Sequence, residues 1–189
     1  MASHKKGARR KHASIAFLDE TGFMLQPTRR RTWAPKGQTP VHKPSDRHDR
    51  VSGIGTLTVS PVRHALNLYF ALLLCNVQAP HLVDFVQQVH RRLRTPLIVV
   101  WDRSGPHRAA ARELERRHAD WVTIEWLPSY SPKLNPQEHC WDQVKYHDLP
   151  NFLPEDVTEL DAAAAMSLAE QRGMQAILRS HFAYAKLAL

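Results

Sequence analysis

The chain has 189 residues, is 43% hydrophobic and carries a formal net charge of +8, which suits one ordinary domain, with or without a tail, and argues against global disorder. Its most apolar run, residues 68–75, is far too short to cross a bilayer, and the basic N-terminus has no apolar stretch behind it, so neither a membrane span nor a signal peptide is expected. The charge is uneven: residues 1–50 hold twelve Lys and Arg against four Asp and Glu, while the rest is balanced at fourteen of each, and such a concentrated surplus points to a polyanionic partner, most often nucleic acid.

In chain order, residues 1–12 read as a flexible basic arm and 13–189 as one folded domain. "SIAFLDE" at 14–20 is a short apolar run suited to a buried strand. Residues 21–40 are rich in Gly and Pro and read as a hairpin or an irregular connection with short extended pieces. A solubilising tail accounts for the basic residues at 5–11. It accounts less well for Arg29, Arg30, Arg31, Lys36, Lys43, Arg47 and Arg50, which alternate with Trp33 and turn residues. "VSGIGTLTVS" and "HALNLYFALLL" read as two strands joined by a turn at Ser60 and Pro61. Residues 80–94 place Leu82, Phe85, Val86, Val89 and Leu93 at helical spacing. "PLIVVWD" is a second buried strand, 106–119 a helix, and "WVTIEWL" a further strand. Helices are expected at 136–146, 154–171 and 174–185. This alternation indicates an α/β fold with a mixed sheet covered on both faces, early strands antiparallel and later ones parallel.

Two apolar strands end in a carboxylate, Asp19 and Asp102. Acids are rarely buried unless paired or bound to a cation, and ligands of α/β sheets gather beyond the carboxyl ends of strands. In "NPQEHCW", Asn135 suits an N-cap and Pro136 the first helical position. Glu138 then either closes a capping box with Asn135 or points from the first helical turn at a site. Asp19 and Asp102 taken singly each read as turn caps. Together with Glu138, the three acids form an oxygen-only ligand set suited to Mg²⁺ or Mn²⁺, two ions of which can promote phosphodiester cleavage. Glu20 follows Asp19 directly. Only one of the two joins the site easily, because successive strand residues face opposite ways. Among twelve histidines no HxxxH or HExxH spacing occurs; His107, one helical turn beyond Asp102, is the best functional candidate. Cys75 and Cys140 lie in apolar or helical contexts and are expected to be buried thiols in a reducing cytoplasm.

"FLDETGF", "TWAPKGQTP", "VVWDRSGPH" and "YSPKLNPQEHCW" resemble, in order, the motifs of transposase catalytic domains from bacterial insertion sequences of the mariner superfamily. The resemblance covers roughly residues 14–189, including "LRSHFAYAKL". It implies a ribonuclease H-like fold: a mixed five-stranded sheet flanked by helices. It implies a catalytic and metal-binding triad of Asp19, Asp102 and Glu138, which selects Asp19 over Glu20, and two Mg²⁺ or Mn²⁺ ions. It also implies double-stranded DNA as partner, both transposon ends and target DNA at TA sites; Arg29, Arg30, Arg31, Trp33 and Lys36 of the basic segment, and Arg103 through a phosphate, are the expected DNA-binding residues. Many relatives carry Asn where this chain has Arg103. Relatives also carry an N-terminal helix-turn-helix region, whereas only a short basic arm precedes Asp19, so a separate helix-turn-helix polypeptide and a homodimer are expected partners. The expected setting is the bacterial cytoplasm, at the nucleoid. Two competing readings share these residues: a ribonuclease H-like nuclease without strand transfer, and a non-catalytic DNA-binding remnant.

Overall fold

The computed structural model describes residues 12–26, 28–38, 41, 49–62, 65–128 and 131–188. The expected arm therefore lies, except for His12, outside the described residues, as do Lys43 and Arg47. Five strands, β1 (Ser14–Met24), β2 (Arg50–Val59), β3 (Leu66–Leu73), β4 (Leu97–Trp101) and β5 (Val122–Trp126), form one sheet in the order β3-β2-β1-β4-β5. β2 is antiparallel to β1 and β3, whereas β4 is parallel to β1 and β5. Five helices flank it among the described residues: α1 (Ala79–Leu93), α2 (Gly105–His118), α3 (Pro136–Gln143), α4 (Val157–Gly173) and α5 (Gln175–Tyr184). This is the expected mixed five-stranded sheet. No described helix is long and apolar enough to cross a membrane.

The short strands are apolar throughout because both sheet faces are covered. In β4, Leu97, Val99 and Trp101 pack with Leu82, Phe85 and Val86 of α1 and Ala110 and Leu114 of α2. Ile98 and Val100 point the other way, toward Cys140 and Trp141 of α3, Leu160 and Leu168 of α4 and Phe182 of α5. β1 alternates likewise: Phe17 joins the α3–α5 side and Leu18 the α1–α2 side.

Several elements differ from the sequence expectation. Residues 21–24, read as a hairpin or an irregular connection with short extended pieces, continue β1 itself, because its antiparallel ladder with β2 runs unbroken from Ile15↔Val59 to Met24↔Arg50. The helix expected at 136–146 stops at Gln143, and residues 144–148 form a wider π turn. α4 starts at Val157 rather than 154, where the Asp156 carboxylate accepts the amides of Thr158 and Glu159. Cys140 is buried as expected, but Cys75 is exposed, since it lies in the bend beyond the last residue of β3.

His181 on α5 is buried and holds Gln171 Oε1 through Nε2 at 3.2 Å. Burial, reinforced by the neighbouring His139, pushes its pKa down to about 4. Between about pH 6.5 and 4 the unfolded chain therefore takes up a proton that the folded chain refuses. The stability this neutral histidine contributes is present above pH 6.5 and lost as pH falls through that window, at about 1.4 kcal/mol per unit of separation. Urea unfolding at a series of pH values should show this loss in the unaltered chain and a shallower one in His181→Gln.

Candidate active site

The parallel ladder of β1 and β4 has a constant offset, from Ser14↔Leu97 to Phe17↔Val100. Extended two residues beyond its last pair, that offset would set Asp19 level with Asp102, which lies just past the end of β4. Alternation also decides between Asp19 and Glu20. Leu18 faces α1 and α2, so Asp19 faces α3, where it accepts a 3.1 Å hydrogen bond from Trp141 Nε1. Glu20 returns to the α1–α2 side and meets His107 of α2.

α3 delivers Glu138 to the Asp19 side. Asn135 caps the helix, its side-chain oxygen accepting the Gln137 amide at 3.1 Å. Its side-chain amide donates to the carbonyl of Leu18 at 3.1 Å, which ties the start of α3 to the residue preceding Asp19. The cap thus engages Gln137 rather than forming the reciprocal box with Glu138, whose own amide bonds the Asn135 backbone oxygen. The helix also lies unusually close to the sheet. Gly55, opposite Asp19 on β2, has no side chain in the way; a Cβ there would stand 2.5 Å from both Gln137 Nε2 and Trp141 Cη2. The sequence signal was present, a glycine inside an apolar strand, but its cause needs the β1–β2 register.

Asp102 lies just past β4 in a turn that starts α2. Its Oδ1 accepts the Ser104 amide at 2.9 Å, and Ser104 in turn caps the His107 amide. The same Oδ1 contacts His107 Nδ1, and His107 Nε2 stands 2.6 Å from Glu20 Oε2. Asp102 therefore caps its turn, as a lone strand-end aspartate is expected to, and still leaves Oδ2 outside these contacts.

The acids influence one another's ionisation. Burial raises the Asp19 carboxyl well above its ordinary range, and repulsion from Glu138 and Glu20 adds to this. Burial also raises Glu138, with Asp142 and Asp102 adding and Lys145 opposing. Asp102 is lowered: burial works against ionisation but is outweighed by the Ser104 amide and His107. His107 is raised, its burial overcome by Glu20 and Asp102. Lys145, beyond α3, donates to Thr21 Oγ1; burial lowers its pKa, while Glu138, Asp142 and Asp19 hold it up. Sequence reading missed Lys145 and Trp141. Among the described residues no three His, Cys, Asp or Glu side chains are close enough to form a ready metal cluster. The donor set nonetheless fits a hard divalent cation: oxygen ligands only, mutually repelling, partly buried and deficient in positive charge.

The expected DNA-binding residues form two groups. Arg29, Arg30, Arg31, Trp33 and Lys36 are all exposed on the β1–β2 connection, Trp33 completely so. Asn151 pins this segment by accepting the Arg30 amide and donating to its carbonyl, at 2.9 and 3.0 Å, and the Arg30 guanidinium lies over Tyr146. Arg103 is exposed beside Asp102, its guanidinium 6.0 Å from the Trp126 ring centre.

Gly55→Ala should force α3 off the sheet. Overpacking of this kind destabilises by about 1–3 kcal/mol, to be read from urea unfolding, and should separate Trp141 from Asp19. Gly22→Ala, in the same sheet with nothing within 4 Å of the added carbon, should be tolerated.

A family model of DDE superfamily endonucleases matches residues 14–161. A search of curated proteins finds no match. Among solved structures, the Mos1 mariner paired-end complex with Mn aligns at a TM-score of 0.65 and 16% identity, over 98% of this chain and 57% of that one. The corresponding Mos1 complex with Mg gives 0.63 and 16%, over 98% and 58%. The Mos1 strand transfer complex gives 0.59 and 15%, over 98% and 57%. At such identities the likeness is one of fold, the ribonuclease H-like arrangement, and this chain spans less than two thirds of the length of those it resembles. The family match over residues 14–161, most of its length, places the chain in the DDE superfamily of endonucleases.

Proposed function

We propose that the chain is the catalytic domain of a DDE transposase of a bacterial insertion sequence in the mariner superfamily, acting on DNA at element ends and joining them to target DNA. The observation that carries this reading is the β1–β4 register, which brings Asp19 level with Asp102 on the sheet face that α3 approaches with Glu138. Asp19, Asp102 and Glu138 would hold two divalent cations, Mg²⁺ or Mn²⁺. Such a pair supplies activation of the attacking oxygen and stabilisation of the leaving one. The chain's own part is placement. Trp141 orients Asp19, Ser104 and His107 orient Asp102, and the Asn135 cap fixes the first turn that carries Glu138. Hydrolysis breaks the bond between phosphorus and the 3′ oxygen at the element end, leaving a 3′-hydroxyl. The water oxygen ends on the 5′-phosphate of the other product. The freed 3′-hydroxyl then attacks the phosphorus of a target phosphodiester at a TA site, a new P–O bond forming as the target's own 3′ oxygen leaves and takes up a proton.

The exposed Arg29, Arg30, Arg31 and Lys36 would grip phosphates and Arg103 a phosphate near the reacting bond, with Trp33 free to stack on a base. The basic residues at 1–12 would add non-specific affinity. Phosphate contacts position but do not select, so recognition of element ends would fall to a helix-turn-helix region, with two copies of the catalytic domain acting together.

Glu138→Gln should keep the fold, because the Asn135 cap does not use this carboxylate. It should reduce Mg²⁺- or Mn²⁺-dependent DNA cleavage by more than about 100-fold, since even outer partners of metal ligands matter about 10–100-fold. Incubating the unaltered chain with pre-cleaved ends and a target plasmid distinguishes transposase from nuclease: joined products support the former, and cleavage that never yields them would leave a nuclease.

Replacing Arg29, Arg30 and Arg31 by Ala should weaken DNA binding alike for all sequences. It should flatten the plot of log affinity against log salt by about 0.9 per lost phosphate contact, about 2.7 in all. An unchanged slope would move the DNA surface elsewhere.

A further inference from the structure

His107 is 1% exposed yet touches two carboxylates, one on β1 and one just past the end of β4. Its ring is stacked on Trp101, with 4.7 Å between centroids and 15° between planes, so it cannot tip out of line. Nδ1 is held against Asp102 Oδ1, while Nε2 lies 2.6 Å from Glu20 Oε2, a charge contact rather than an aligned hydrogen bond. Glu20 belongs to the strand that carries Asp19, one residue further on, and its side chain is largely covered, 21% exposed. Asp102 is the opposite case: its side chain is 60% exposed, on a turn beyond its strand. An exposed aspartate samples several rotamers, and ordering it has an entropic cost. Two groups remove that freedom here, the Ser104 amide and the His107 ring, and both act on Oδ1.

We propose that His107 is a positioning residue, a strut between Glu20 and Asp102 that holds Asp102 in one rotamer and presents Oδ2 alone for metal ligation. The ring acts only through Asp102. Glu20 is the anchor at its far end, which gives the second acid of "LDE" a task although it faces away from Asp19. Carboxylates that bind metals are commonly oriented by such outer hydrogen bonds, and their loss weakens metal affinity about 10–100-fold. The inference rests on the metal-site reading above.

The test is Mn²⁺ binding to the DNA-free full chain, followed by the loss of the free-ion signal in electron paramagnetic resonance, with circular dichroism as the control for folding. His107→Ala should weaken Mn²⁺ binding about 10–100-fold. Glu20→Ala should weaken it in the same direction by less, since the ring stays in place but loses its anchor. DNA affinity without divalent ions should not change in either variant. Should His107→Ala fail to fold, Glu20→Ala decides the matter, because it leaves the Trp101 stack intact. Asp102→Asn separates the two levels of inference. If it loses Mn²⁺ binding while the folded His107 and Glu20 variants bind as the unaltered chain does, the strut is wrong and the metal site stands. If Asp102→Asn itself binds as the unaltered chain does, the metal-site reading falls and the strut with it.

Discussion

The parallel pairing of β1 with β4 is the constraint on which the rest of the molecule depends. It requires a crossover, and the chain between the two strands supplies it by way of β2, β3 and α1. Once the pair is in register, strand alternation assigns every residue near its carboxyl end to a face. Asp19 goes to the side of α3, Glu20 to the side of α2, and Asp102 emerges at the same level as Asp19. A slip of one residue would exchange the roles of Asp19 and Glu20 and turn Phe17 and Leu18 onto the wrong sides of the sheet.

Holding several carboxylates near the carboxyl end of β4 opposes folding. Burial and mutual repulsion both raise Asp19, so its ionisation weakens the fold in the absence of a cation. The opposing stabilisation comes from the packing beneath. Trp141 is 2% exposed, meets Phe23 edge-to-face at 6.0 Å, and donates its one hydrogen bond to Asp19. Gly55 allows that indole to lie flush against the sheet. The same contact thus fills the core and aims the acid, so site geometry and stability are coupled at α3. Lys145 provides a positive charge nearby without capping any of the three acids, since its ammonium is engaged by Thr21.

Much of the site was legible in the sequence because its signals are local. Apolar runs that reach Asp19 and Asp102 mark buried strands, although β1 continues past Asp19 to Met24. Asn135 followed by Pro136 marks a helix start, and the cap forms as the residues dictate, although its oxygen takes the Gln137 amide and leaves Glu138 outside the box. The stop of the helix after Gln143, the continuation of β1 to Met24 and the exposure of Cys75 were not legible, because each depends on what the segment packs against.

The sequence by itself determined the alternation that sends Asp19 and Glu20 to opposite faces, since period two is a property of the extended backbone. It determined which short runs are buried strands and that a helix begins at Pro136, since apolar spacing and capping chemistry act over a few residues. Only the tertiary structure decided which face receives α3, why residue 55 has to be glycine, and that His107 spans Glu20 and Asp102. Each of these is a meeting of segments far apart in the chain. It arises from strand register and helix packing, which no local run of residues encodes.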